Sequence, residues 1–244
     1  MPPPEAWYAA RAMQALEALA FQPLSAPQVA AALQVHPRTA RRLLNRLRDE
    51  GYLERSDDAR RLYAPTMRIV ALAGQILQRA LLAERAVPVV AALHDETGLA
   101  THLAVPSYRS VLCVVHGNGA GPPERGLFEL VPAHCTAAGK ALLGHRPAWQ
   151  DSLLKAPLER RTARTITDPA ALRAEAAAIR ARGYAIEDGE FQRGVRGVAA
   201  PVFAPSGEAV AALSVTTAAD ADLEAIAGPL VAAARSLGSE LEHG

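Results

Sequence analysis

The feature that most restricts the fold of this chain is the order of its first elements. Apolar residues recur at helical spacing over residues 6–20 and again over 25–33, and a tight turn separates the second pattern from a third. Pro37 is well placed to open the third helix, and Gly51, which has no Cβ, suits a left-handed cap at its end. The chain therefore begins with three helices, the last two of which are joined by a tight turn.

Two short strand-like runs follow these helices, at residues 52–55 and 61–63, with Asp57 and Asp58 at the turn between them. Helix, helix, turn, helix and β-ribbon is the order of elements in a winged helix-turn-helix. We therefore predict a winged helix-turn-helix domain over residues 1–65.

The third helix has an apolar side and a basic side. At about 100° per residue, its leucines collect on one side, whereas Arg38, Arg42 and Asn45 lie on the opposite side. Arginine reads guanine and asparagine reads adenine in the major groove, and the flanking residues can bind phosphates. A solvated charged face is the alternative, but acidic partners occur only near the end of the helix. The predicted contacts to double-stranded operator DNA come from Arg38, Thr39, Arg41, Arg42, Asn45 and Arg46 in the helix, and from Arg60 and Arg61 in the ribbon.

Charge is divided unevenly along the chain, although the formal net charge of the 244 residues is only +1. Residues 1–80 hold 11 arginines against 7 acidic residues, a net charge of +4, whereas residues 81–244 carry a net charge of −3. A basic head on an acidic body indicates two units with different partners.

Residues 66–84 show an apolar helical stripe between these two units. The stripe consists of Ile69, Leu72, Ala73, Ile76, Leu77 and Leu81. We predict a linker helix over 66–84 whose stripe pairs with a second copy of the chain, or else packs on its own domain.

Residues 85–244 alternate between helical and strand-like patterns. Helices are predicted at about 85–96, 136–144, 169–182 and 220–241, and strands at 100–105, 111–116, 127–131, 184–187, 197–203 and 210–216. Turn signals separate the strand patterns and favour a mainly antiparallel sheet. The class is therefore α+β, and the body resembles small-molecule sensor domains.

Several classes of protein are excluded by simple features of the sequence. No apolar run reaches the ~18 residues of a membrane span, and charged residues such as Glu5, Arg11 and Glu17 interrupt any signal peptide. Cys113 and Cys135 are too few for a disulfide scaffold. We therefore expect a cytoplasmic protein with no membrane partner and no cofactor.

Eight segments of the chain fit one known family in order and spacing. They are SAPQVAAAL (25–33), TARRLL (39–44) and GYLE (51–54) in the head, and HCTAAGKALL (134–143), TITD (165–168), GYAIED (183–188), GVRGVAAPV (194–202) and ALSVT (212–216) in the body. Over nearly its whole length the chain resembles the IclR family of transcriptional regulators. The resemblance implies a winged helix-turn-helix, a linker helix and a GAF-like α/β effector-binding domain, assembled as a homodimer or a dimer of dimers.

The resemblance also implies a site for a small organic acid, aromatic acids included. Its residues here are Thr136, Ala137, Ala138, Glu187, Gly197, Ser214 and Thr216. The set is chemically coherent, because a loop that opens a helix offers N–H groups to an anion. In addition, Ser214 and Thr216 stand two apart on a strand and point to the same face.

Two other classes of function stay open from the sequence alone. An architectural DNA-binding protein would need no effector, and an enzyme would use the body for catalysis. Gly139 and Lys140 are not a P-loop, because the glycine required earlier is replaced by His134, and Lys140 is expected to cap or pack its helix. His134 and Cys135 are neighbours, and on an extended segment they would point to opposite sides. His94, His102, His116 and His134 could assemble a metal site with the cysteines in space. No pair of them has metal-ligand spacing, so we predict neither catalytic residues nor a metal site.

Overall fold

The computed structural model describes residues 5–56, 61–78, 81–117, 124–125, 129–218 and 221–241. The chain divides into two compact units, Met1–Arg79 and Ala80–Gly244. None of the described helices is both long enough and apolar enough to cross a membrane.

The first unit has the element order of a winged helix-turn-helix, as the sequence predicts. Its elements are α1 (Glu5–Phe21), α2 (Ala26–Ala32), α3 (Pro37–Asp49), β1 (Leu53–Arg55), β2 (Tyr63–Pro65) and α4 (Met67–Gln78). Strands β1 and β2 pair in the antiparallel sense. Local signals fix the helix ends: the backbone N–H of Ser25 donates to Gln28 Oε1 at 2.8 Å before α2, and Gly51 follows α3 with a φ of +80°.

The apolar side of α3 is buried in the core of the first unit. Ala40 and Leu44 are fully buried there, together with Leu19 of α1 and Val29 of α2. Burial of this side places the opposite, basic side of α3 at the surface.

The second unit is a three-layer arrangement of helices around one antiparallel sheet. Its elements are α5 (Leu81–Thr97), β3 (Ala100–Ser107), β4 (Ser110–Gly117), β5 (Glu124–Arg125), β6 (Leu130–Pro132), a 3₁₀ turn (Ala133–Cys135), α6 (Ala137–His145), α7 (Pro147–Leu153), α8 (Pro169–Arg182), β7 (Ala185–Asp188), β8 (Arg196–Phe203), β9 (Ala209–Thr217) and α9 (Leu223–Glu240). The described strands run in the order β5-β4-β3-β9-β8-β7, with β6 beside β4. Every described pairing is antiparallel, which confirms the predicted sheet type.

The two faces of this sheet carry side chains of different size. On β9, Leu213 and Val215 point toward the core that contains α5 and α9. Ala212 and Ser214 point to the opposite face of the sheet. There Ala212 joins Ala199 of β8 in the core that contains α6 and α8. Because the second face carries small side chains, it leaves space between the sheet and the start of α6.

The predicted linker range 66–84 covers α4 and the first residues of α5, and residues 79 and 80 lie outside the described residues. Ala83 and Ala86, in α5, are buried in the core of the second unit. Helix α7 and the 3₁₀ turn are short, and their apolar periods are too brief for a pattern to indicate them.

Candidate functional site

The basic side of α3 is an open surface of arginines. Arg38, Arg41, Arg42 and Arg46 are exposed, and Thr39 is half-buried. With Asn45 and Asp49, the four arginines line an open cleft along the helix. The structure thus brings together the α3 residues that the sequence predicts for DNA binding. Of the two predicted ribbon residues, Arg61 is exposed and precedes β2, whereas Arg60 lies outside the described residues.

Two of the predicted DNA-binding residues also make contacts within the first unit. The Tyr63 hydroxyl donates to Asn45 Oδ1 at 2.9 Å, and the Arg42 guanidinium lies over the Tyr8 ring, 5.7 Å from its centroid. An asparagine needs both ends of its carboxamide to read adenine. Because an amide oxygen carries two lone pairs, the bond from Tyr63 leaves Asn45 both an acceptor and its N–H donors, and its contact with adenine stays a prediction.

A cavity of about 210 Å³ lies in the second unit, between the small-residue face of the sheet and the start of α6. It is lined by His102, Ala104, Val111, Cys113, Glu129, Val131, Thr136, Ala137, Ala138, Glu187, Phe191, Gln192, Val195, Ser214 and Thr216. Six of the seven predicted effector residues are among them. The seventh, Gly197, lies behind the wall: a Cβ there would stand 3.1 Å from Thr216 Cγ2 and 3.5 Å from Ala137 Cβ.

The start of α6 forms one polar end of the cavity. Thr136 is the N-cap, and its hydroxyl accepts the Gly139 N–H at 3.3 Å and donates to the Pro132 carbonyl at 2.9 Å. The N–H groups of Ala137 and Ala138, in the first turn, have no acceptor within the helix. They are therefore positioned to receive an anion, which the helix dipole also favours.

Glu187 is a buried carboxyl group on the cavity wall. Its Oε1 accepts the backbone N–H groups of Glu190 at 2.8 Å and Phe191 at 3.1 Å. Burial raises the pKa of Glu187 to about 7, although these two hydrogen bonds oppose the shift. This side chain therefore shapes the loop behind β7 and changes its protonation state near neutral pH.

Lys140 fixes the same loop to α6. Its side chain is only 2% exposed and forms an ion pair with Glu190, while Glu175 lies 3.7 Å from the ammonium group. From the sequence, Lys140 was expected to cap or pack its helix, and its partner, which is 50 residues away in the chain, was not predicted. The Lys140–Glu190 pair holds the loop that carries Phe191 and Gln192 against the cavity.

A second polar wall was not predicted from the sequence. His102 on β3 contacts Thr216 on β9 through Nε2 and Oγ1, at 3.0 Å, and His116 on β4 through the two Nδ1 atoms, at 2.8 Å. Burial and the neighbouring His116 lower the pKa of His102 to about 4, so this imidazole is neutral. This wall is formed by the strand register, which pairs His102 with both His116 and Ser214. A pattern within one strand does not give that register.

The local structure around His134 and Cys135 corrects one expectation. These residues lie in a 3₁₀ turn, not on an extended segment, because the chain tightens before α6. The His134 ring binds the Glu159 carbonyl at 2.8 Å, and burial raises the pKa of the Cys135 thiol to about 12. A thiol that holds its proton is a poor nucleophile. Among the described residues, no three histidine, cysteine or acidic side chains are grouped to hold a metal ion.

Known proteins match both units of this chain. Residues 74–239 match the model of the C-terminal domain of the bacterial transcriptional regulator IclR, and residues 9–62 match the model of the MarR family. The HTH-type transcriptional regulator BhcR of Paracoccus denitrificans is 33% identical over 237 residues, covering 93% of this chain and 84% of that protein.

Solved structures agree with the sequence matches. An IclR-type structure from Silicibacter has a TM-score of 0.80 and 27% identity, with 96% of each chain covered. An IclR homologue from Microbacterium hydrocarbonoxydans, solved in complex with 4-hydroxybenzoate, has a TM-score of 0.78 and 26% identity, covering 97% of this chain and all of that one. By fold, motifs and relatives, this chain belongs to the IclR family of transcriptional regulators.

Proposed function

We propose that the protein is a sequence-specific DNA-binding regulator whose affinity for its operator is set by a small organic acid bound in the cavity. The observation that carries the proposal is the cavity itself, which is lined by the start of α6 and by the hydroxyl groups of buried Ser214 and half-buried Thr216. An architectural protein has no need of an apolar cavity with a few polar groups that converge on it.

The cavity favours an acid with a compact apolar body. Its volume is about 210 Å³, whereas a cavity of about 150 Å³ is enough for benzene. Ala104, Val111, Val131 and Phe191 supply apolar walls, and the N–H groups at the start of α6 supply the anion-binding end. The 4-hydroxybenzoate held by the Microbacterium homologue has this character, so benzoates are the first acids to test.

DNA binding is assigned to the basic side of α3. Four exposed arginines on one helix side match the needs of major-groove recognition, in which guanidinium groups read guanine and neutralise phosphates. A homodimer would present two such helices about 34–36 Å apart to a partly palindromic operator. Exposed apolar residues on α4, namely Met67 and Val70, favour pairing of this helix with a second copy.

Effector binding is tested by thermal melting of the full chain against a panel of substituted benzoates and short keto acids. An acid present at 100 times its Kd should stabilise the protein by about 2.7 kcal/mol. Ser214→Ala should weaken binding of the same acid, because it removes a buried hydroxyl from the cavity. Intact operator binding without any saturable acid binding would instead support the architectural alternative.

Operator binding is tested by selecting DNA from a random duplex library with the purified protein. Arg38→Ala should weaken binding to the selected sequence by about 1–3 kcal/mol and relax the preference at one base pair of each half-site. Arg173→Ala, at an exposed arginine of α8 paired with Asp151, is the matched control. Unchanged affinity and preference in Arg38→Ala would remove this residue from the interface.

A further inference from the structure

A chain of hydrogen-bonding side chains crosses the sheet and ends in the cavity. It runs from His116 on β4, through His102 on β3, to Thr216 on β9. The two imidazoles are stacked, with planes that differ by 19° and centroids 4.7 Å apart. Cross-strand pairing of His102 with His116 fixes this arrangement in the sheet.

The ring nitrogens that carry hydrogens determine the direction of the hydrogen bond between His102 and Thr216. The two Nδ1 atoms stand 2.8 Å apart, so one must carry a hydrogen and the other a lone pair. His102 is neutral, because burial and His116 lower its pKa to about 4, and a neutral ring has one N–H only. If the hydrogen is on Nδ1 of His102, its Nε2 accepts from Thr216. If the hydrogen is on Nε2, that atom donates to Thr216.

Cys113 indicates which of the two arrangements is present. Its thiol donates to the Val115 carbonyl at 3.3 Å, and its sulfur lies 3.8 Å from His102 Nδ1. Burial raises the pKa of this thiol to about 11, so the proton stays on the sulfur. Because that proton is directed at Val115, the sulfur offers lone pairs to His102. A hydrogen on His102 Nδ1 then faces two acceptors, Cys113 Sγ and His116 Nδ1.

We propose that His102 and His116 set the ligand specificity of the cavity by holding Thr216 as a hydrogen-bond acceptor. His102 Nε2 accepts the hydrogen of the Thr216 hydroxyl, which leaves only oxygen lone pairs for the cavity. The effector is thus an acid that also carries a hydroxyl or N–H donor: its carboxylate binds the start of α6, and its donor binds Thr216. This inference rests on the proposed effector function. His116 is a positioning residue, because it acts on the ligand through His102.

The tautomer of His102 is measurable without any ligand. Nitrogen-15 NMR of the labelled full chain distinguishes protonated from unprotonated ring nitrogens, and a His102→Gln variant assigns the signals. We expect His102 to carry its hydrogen on Nδ1 and His116 on Nε2. His94 and His134 are internal references, because their Nδ1 and Nε2, respectively, face backbone carbonyls and must donate. A hydrogen on His102 Nε2 would overturn the proposal, even if benzoates bind.

Ligand discrimination is the second test, with the 2-, 3- and 4-hydroxybenzoates and the corresponding fluorobenzoates as paired probes. The wild type should prefer the hydroxyl member of at least one pair by roughly 10-fold or more, because the fluorine would cover the Thr216 oxygen without donating a hydrogen to it. Thr216→Val should abolish this preference and Thr216→Ser should retain it. His116→Phe should reduce it, because the acceptor for His102 Nδ1 is lost.

The two tests separate failure of this inference from failure of the proposed function. Equal binding of both members of every pair, or the same preference in Thr216→Val, would overturn the role of Thr216 while leaving effector binding intact. If no benzoate binds, the proposed effector class fails, and the tautomer of His102 alone decides the proton arrangement.

Discussion

Glu187 is a carboxyl group of the cavity wall whose protonation is controlled by burial. With its pKa raised to about 7 by burial, the folded chain holds the proton at a pH where an exposed glutamate has lost it. Below the ordinary pKa, both the folded and the unfolded chain are protonated and there is no penalty. As pH rises from about 4.5 to 7, the unfolded chain ionises first, so the free energy of unfolding decreases.

Glu187→Gln should remove this pH dependence, because a neutral amide still accepts the two loop N–H groups. The variant should be more stable than the wild type by about 2–3 kcal/mol at pH 8, and the difference should shrink toward pH 5. Urea unfolding across this range measures the effect, with the exposed Glu54→Gln as the control. A difference that does not change with pH would show that the Glu187 carboxyl ionises as an exposed one does.

Residues near one another in sequence were predicted more completely than residues joined across the sheet. Thr136, Ala137 and Ala138 lie in one motif, and the resemblance indicated all three as cavity residues. His102 and Cys113 were missed because their place on the wall depends on the register of β3 and β4. Strand spacing alone gives the face of a residue but not its partner.

Helix α6 can start where it does only because residue 139 is glycine. A Cβ there would lie 2.1 Å from the Ala133 carbonyl oxygen, a contact with backbone that no side-chain rearrangement relieves. Gly139→Ala should therefore destabilise the protein by about 3 kcal/mol or more and weaken acid binding, since the N–H groups of Ala137 and Ala138 would shift.

Gly228→Ala on α9 is the matched control for this element. Nothing within 4 Å surrounds a Cβ at that position outside its own helix turn and neighbours. The gain in helix propensity is offset in part by the following Pro229, so the free energy of unfolding should change by less than about 1 kcal/mol. Equal losses in the two variants would mean that the α6 start tolerates a side chain.

Elements with long patterns were predicted well, including their ends. The strand pattern at 210–216 and the helical pattern at 169–182 correspond to β9 and α8, because alternation and capping are local properties. The apolar pattern over 66–84 falls on α4 and the start of α5, and its role as a linker stays a prediction. An apolar stripe indicates that a helix packs against another surface, but it does not indicate which unit supplies that surface.

At the scale of the whole molecule, the two units differ in net charge and in the kind of site that each carries. The head, with a net charge of +4, presents exposed arginines on α3, and the body, with a net charge of −3, encloses the cavity. In the proposed mechanism, binding of the acid in the body changes the affinity of the homodimer for operator DNA. A coupling free energy of about 1–3 kcal/mol would change that affinity about 5- to 150-fold.

The salt dependence of operator binding tests DNA contact and assembly together. Each phosphate contact contributes about 1 to the slope of log K against log salt concentration, because binding releases condensed counterions. If the exposed Arg41 binds a phosphate, Arg41→Ala should reduce the slope by about 1 per copy, and hence by about 2 for a homodimer on two half-sites.

Fluorescence anisotropy on the selected operator at several salt concentrations gives the slope, with Arg173→Ala expected to leave it unchanged. A reduction near 1 would indicate that one copy binds the site, and no reduction would exclude Arg41 from the phosphate contacts.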